Sequence, residues 1–86
     1  MTSERPKILV VDDTHANLVA MRRLLADCGA ELHEAASGNE ALATCLDHEF
    51  ALILLDVNMP DMDGFEVASL LAEAEQAHET PIIFVT

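Results

Sequence analysis

The sequence predicts an α/β domain, a doubly wound and mostly parallel β-sheet with helices on both faces. Three observations predict it. Apolar runs of strand length at 8–11, 51–55 and 82–85 show no polar alternation, as strands buried on both faces do. Between them lie segments whose apolar residues recur every three or four positions. Turn and cap residues separate the two kinds, and the resulting order βαβαβαβ favours parallel strands joined by helical crossovers.

Ile8-Leu9-Val10-Val11 is too short for a helix and rich in β-branched residues, so it reads as a buried strand. Leu18, Met21, Leu24, Leu25 and Cys28 then recur at helical spacing, and Gly29 is expected to stop that helix. Residues 30–35 are more polar, with Leu32 between Glu31 and His33, the pattern of an edge strand. Ser37 followed by Glu40 has the form of a capping box, and Ala41, Leu42, Cys45 and Leu46 form the apolar stripe behind it. Residues 51–55 make a second all-apolar strand that closes at Asp56, and 58–64 read as loop. A third helix is expected near Phe65, capped by Asp63 with Glu66 three residues on, carrying Phe65, Leu70, Leu71 and Ala74. Thr80-Pro81 breaks the chain before a last buried strand, Ile82-Ile83-Phe84-Val85, ending at Thr86. With no helix after it, that strand is expected to leave apolar surface and an unpaired edge exposed, so residues 1–86 read as one partial domain open to self-association.

Composition narrows the function. The 86 residues are 51% hydrophobic, enough for a packed core, but only 3% aromatic, so base stacking on an aromatic platform is not expected. The formal charge of −12 repels phosphate backbones and anionic lipid; neither nucleic acid nor membrane is an expected partner, whereas a cation or a basic surface is. No apolar run spans a bilayer and residues 1–5 form no signal peptide. Cys28 and Cys45 lack metal or redox spacing and both fall on helical stripes, which suggests reduced core thiols and a cytoplasmic location. His15, His33, His48 and His78 show no ligand spacing, and His15 reads as a surface residue. Met59 and Met62 read as loop packing.

In an open parallel sheet, ligands bind beyond the carboxyl ends of the strands, near the point where strand order reverses. Asp12 and Asp13 follow the first strand and Asp56 closes the third. Were those strands neighbours, three carboxylates would share one pocket and would need a hard divalent cation such as Mg²⁺ to offset their repulsion. A carboxylate held there is also a nucleophile toward phosphorus. Asp56 is the candidate because a central strand fixes its position. Thr86, at the end of the next strand, could hydrogen-bond a phosphoryl oxygen.

Val10-Val11-Asp12-Asp13, then Leu55-Asp56-Val57-Asn58-Met59-Pro60-Asp61-Met62-Asp63-Gly64-Phe65-Glu66, then Pro81-Ile82-Ile83-Phe84-Val85-Thr86 resemble the receiver domain of two-component response regulators. The order and spacing, with Thr86 thirty positions beyond Asp56, are more specific than any one piece. The resemblance implies the flavodoxin-like receiver fold, with strand order 2-1-3-4-5. It implies that Asp56 accepts a phosphoryl group from a sensor histidine kinase or a phosphotransfer protein. It implies Mg²⁺ (or Mn²⁺) held by the Asp13 and Asp56 side chains and the Asn58 backbone carbonyl, with Asp12 acting mostly through a water. Thr86 matches the switch hydroxyl, and Pro60 and Gly64 shape the loop. Such a chain is a signalling domain rather than an enzyme, beyond self-phosphorylation and slow self-dephosphorylation. The family pattern continues with a fourth helix, a fifth strand bearing a phosphate-pairing Lys and a fifth helix; the sequence departs from it there, and Lys7 lies at the wrong end of the first strand to substitute.

Two alternatives are weighed against this reading. A degenerate or truncated receiver would act as a protein-interaction module without phosphorylation. Asp61-Met62-Asp63-Gly64 also resembles the nucleophile motif of haloacid-dehalogenase-type phosphatases, but Asn58-Met59-Pro60 separates it from the strand it should follow.

Overall fold

The apolar runs do become the strands of one sheet. In a computed structural model, which describes residues 5–60, 62–74 and 79–85, the chain runs β1 (Lys7–Val11), α1 (His15–Leu24), β2 (Glu31–Ala35), α2 (Gly38–Asp47), β3 (Leu52–Asp56), α3 (Gly64–Glu73) and β4 (Ile82–Val85). All pairings are parallel and the order is β2-β1-β3-β4. From β1 the chain moves outward to β2, then crosses back to β3 on the other side. The strand order therefore reverses between β1 and β3, whose carboxyl ends become the topological switch point.

Alternation along the central strands feeds two cores. Val10 and Leu54 point to the face covered by α1, where they meet Leu18, with Ile8, Met21, Leu25 and Leu52 packed around them. Leu9, Val11, Ile53 and Leu55 point to the opposite face, against Ala41 and Cys45 of α2 and Val67 and Leu71 of α3. Burying a side chain of this size stabilises by about 1.5–3 kcal/mol, so the second, larger cluster carries more of the fold. Met59 joins it and Met62 packs on its margin, as loop packing requires.

The two predicted caps form. Ser37 Oγ accepts the Glu40 N–H at 3.1 Å and Asp63 Oδ1 accepts the Glu66 N–H at 2.8 Å, each satisfying one otherwise unpaired donor of a first helical turn. β2 is the edge strand its polar pattern suggested.

Four details differ from the sequence expectation. Helix α1 ends at Leu24, before Gly29; a tight turn with the Cys28 N–H on the Leu25 carbonyl follows, and Gly29 reverses the chain at φ 83°. Cys28 is therefore exposed rather than a core thiol, and Leu24, rotated off the Leu18-Met21-Leu25 stripe, is 76% exposed. Leu46, at the far end of α2, is exposed as well. In α3 the buried stripe is Gly64, Val67 and Leu71, while Phe65 and Leu70 face outward. In β4, Ile83, Phe84 and Val85 are exposed, and Phe84 packs on Phe65 with ring centroids 4.9 Å apart. The strand is not buried on both faces, and among the described residues it pairs with β3 alone. Among the described residues no helix is long and apolar enough to cross a membrane.

Candidate functional site

Each acid reaches the switch point by a different local device. Asp12 directly follows β1, and its N–H continues the ladder to the Ala35 carbonyl at 3.1 Å. Its side chain is 8% exposed, and burying a charge that far costs stability unless hydrogen bonds satisfy it. Oδ1 accepts the Thr14 N–H at 2.9 Å and Oδ2 accepts from Asn17 Nδ2 at 3.1 Å. Asp12 thus sits against the amino end of α1, where the helix dipole favours an anion.

Asp13 is exposed beside it. Asp56 ends β3, half-buried, in register with Val85 of β4. Its Oδ1 accepts the Asn58 N–H at 3.1 Å. The backbone at Asp56 is braced from behind by α3: the Gly64 N–H donates to the Val57 carbonyl at 3.2 Å, and Gly64 packs so closely that any Cβ there would strike the Asp56 carbonyl oxygen. Asn58 itself is exposed two residues beyond.

One oxygen from each of Asp12, Asp13 and Asp56 lies within 4.8 Å of the others. Among the described residues no Lys or Arg forms an ion pair with any of the three. Arg22 pairs instead with Glu34, through two hydrogen bonds of 2.8 Å, and holds that carboxyl below the usual range. Lys7 lies at the opposite rim of the sheet, its Nζ 3.1 Å from His48 Nδ1. Three like charges with no cationic side chain fit a hard divalent cation by donor type, by charge and by spacing.

Thr86 lies outside the described residues, as do Asp61 and His78. Asp63 is engaged as the α3 cap, and the first Asp of the phosphatase-like motif, Asp61, which would be its nucleophile, falls among the undescribed positions. His15 is exposed, as expected of a surface residue. Sequence reasoning missed two groupings. Asn17 touches Asp12 from one turn inside α1; its signal was a carboxamide five residues beyond an acid at a helix start. His33, His48 and Phe50 stack at the far rim, with centroids 4.5 to 5.8 Å apart and Glu31 Oε2 2.6 Å from His33 Nε2. No local spacing announces that cluster. A groove lined by Arg5, Lys7, Glu49 and Phe50 opens at that same rim, away from the three acids.

Comparison with known proteins gives a consistent picture. The family described as "Response regulator receiver domain" matches residues 8–86. The transcriptional regulatory protein SrrA of Staphylococcus aureus is 40% identical over 80 residues, covering 93% of this chain and 32% of SrrA, so the chain spans about a third of that relative's length. The chemotaxis protein CheY4 of Vibrio cholerae superposes with a TM-score of 0.88 at 39% identity, over 93% of this chain and 67% of that one. A CheY-like receiver domain protein of Methanospirillum hungatei superposes with a TM-score of 0.88 at 32% identity, over 96% and 65%.

Proposed function

This chain belongs to the response regulator receiver family, and on that premise we propose that it accepts a phosphoryl group on Asp56 within a two-component phosphorelay. The observation that carries the reading is the convergence of Asp12, Asp13 and Asp56 at the reversal of strand order, with oxygens within 4.8 Å.

The donor is a phosphohistidine on a sensor histidine kinase or a phosphotransfer protein. Asp56 Oδ1 is held by the Asn58 N–H, so Oδ2 is the oxygen we assign to attack. A P–O bond to Oδ2 forms as the P–N bond breaks, and the electron pair stays with the departing imidazole, which takes up a proton. Little covalent work falls to the protein; positioning and charge do most of it. Gly64 and the β3 ladder hold the Asp56 backbone still while Asp13 stands beside it. The Asp13 and Asp56 side chains and the Asn58 carbonyl would hold Mg²⁺ (or Mn²⁺), with Asp12 reaching it across a water. Bound there, the cation supplies positive charge opposite the transferring phosphoryl oxygens.

In this reading Thr86 is the switch hydroxyl, the location is cytoplasmic, and the chain is a signalling switch without turnover chemistry. The exposed apolar edge of β4, with Ile83, Phe84 and Val85, further supports association between copies, which sedimentation over a range of concentrations checks.

The test is labelling with a small acyl phosphate in the presence and absence of Mg²⁺. Mass spectrometry should find one hydroxylamine-labile phosphoryl group, dependent on the cation and absent from Asp56→Asn. Equal labelling of Asp56→Asn would refute the assignment. A chain that takes up neither phosphate nor beryllofluoride with Mg²⁺ is instead the non-phosphorylated interaction module.

A further inference from the structure

Asp12 is the most restrained of the three acids. Its backbone N–H is fixed to β2, Oδ1 to the Thr14 N–H and Oδ2 to the Asn17 carboxamide. Thr14, the N-cap of α1, makes no side-chain cap bond of its own, and Asp12, two residues upstream, accepts the N–H of Thr14 itself. Asn17 is exposed and contributes nothing to either core. Asn is also a weaker helix former than Ala. Among the described residues, Asp12 is the one hydrogen-bond partner of the Asn17 side chain.

We infer that Asn17 is a positioning residue for the cation site, which holds Asp12 back from direct coordination and so sets a preference for Mg²⁺ over Ca²⁺. The inference rests on the reading that the three acids hold a divalent cation. Mg²⁺ demands near-octahedral geometry and keeps several of its waters, whereas Ca²⁺ takes six to eight oxygens in flexible arrangements. A carboxylate engaged on both oxygens accepts a hydrogen bond from a water on the cation but does not swing inward as one more ligand. With the amide gone, Oδ2 is free to turn toward the cation. An extra carboxylate oxygen rewards Ca²⁺ more than Mg²⁺. Removing the amide dipole also makes the pocket more negative, which raises both affinities together. The ratio of the two affinities is therefore the informative quantity, rather than either alone.

The experiment titrates the 86-residue chain with Mg²⁺ and, separately, with Ca²⁺, following the backbone amide signals of Asp13 and Asn58 by NMR. The wild type, Asn17→Ala, Asp12→Asn and the double variant are compared. Asn17→Ala puts a better helix former at an exposed site and leaves Asp12 its bond to the Thr14 N–H, so the fold is expected to hold. The Mg²⁺-to-Ca²⁺ affinity ratio should fall about three- to tenfold in Asn17→Ala, the scale of one ordinary net hydrogen bond, because part of the larger effect on each ion cancels in the ratio. Because Asn17 acts through Asp12, the same substitution in the Asp12→Asn background should change the ratio by less than about twofold. An unchanged ratio in Asn17→Ala, with both ions still binding, overturns the positioning role and leaves the cation site standing. So does an equal fall in both backgrounds. A wild-type chain that binds neither ion overturns the cation site itself and the inference with it.

Discussion

Replacing Gly64 by Ala tests whether the brace behind Asp56 is real, because two physical effects predict opposite signs. Gly64 is the first residue of α3, and its φ is not in the left-handed region. On helix propensity alone Ala should stabilise, by up to about 0.5–1 kcal/mol. On packing it should not. The added Cβ would lie 2.7 Å from Val57 Cα and in hard contact with the Asp56 carbonyl oxygen, against about 3.5–4.0 Å for comfortable carbon contacts. Both neighbours are backbone at the end of a central strand, so the relief is a shift of the whole α3 amino end by roughly an ångström. Such overpacking costs about 1–3 kcal/mol, and the shift also stretches the Gly64 N–H to Val57 carbonyl bond. The expected net is a loss of about 2 kcal/mol, read by urea unfolding followed with circular dichroism. NMR should show shifted Asp56 and Asn58 amides, and Mg²⁺ binding should weaken. A Gly64→Ala chain as stable as the wild type, or more so, would refute the packing argument.

Three further outcomes follow from the same geometry. Asp13→Asn should raise stability in cation-free buffer by about 1 kcal/mol, the screened repulsion across a few ångströms at an exposed site, and should abolish further stabilisation by Mg²⁺; thermal melts with chelator and with Mg²⁺ check both. The Arg22 guanidinium depresses the Glu34 carboxyl in the folded state, so its contribution is full above the ordinary carboxylate value of 4.5 and is lost as pH falls through the lower folded value. Glu34→Gln should therefore flatten the acid limb of the stability profile below pH 4.5 and leave its neutral limb unchanged in shape. Ellman's reagent should modify the exposed Cys28 at once, while the Cys45 thiol, raised by burial, should react only at the rate of unfolding; two fast thiols would contradict the placement of Cys45 in the α2 core.

The parts of this molecule that could be read from sequence are those where position along the chain fixes position in space. β1 and β3 announce themselves because a parallel strand buried on both faces has no polar alternation to confuse with anything else. Ser37 and Asp63 announce their helices because the cap bond spans three residues and involves nothing distant. The three acids inherit this legibility, since each sits at a strand tip and the topology brings those tips together. A helix face is harder, because it is an angle rather than a point. In α3, Phe65, Val67, Ala68, Leu70 and Leu71 are apolar nearly all round, so periodicity alone does not choose between the outward Phe65 and Leu70 and the buried Val67 and Leu71. In α1 the helix ends a turn earlier than its stripe suggests, and that turn carries Cys28 into solvent. The His33–His48–Phe50 cluster was invisible for a related reason, since it is defined by contacts that only the tertiary fold creates, whereas Asn17 lay within five residues of its partner Asp12 and was open to a local reading. On the proposed reading, the acceptor chemistry lies at strand ends, in residues the fold cannot rotate away. The inferred adjustment by Asn17 would sit on the neighbouring helix instead, at an exposed position outside both cores, where a substitution would reach the site through Asp12 alone.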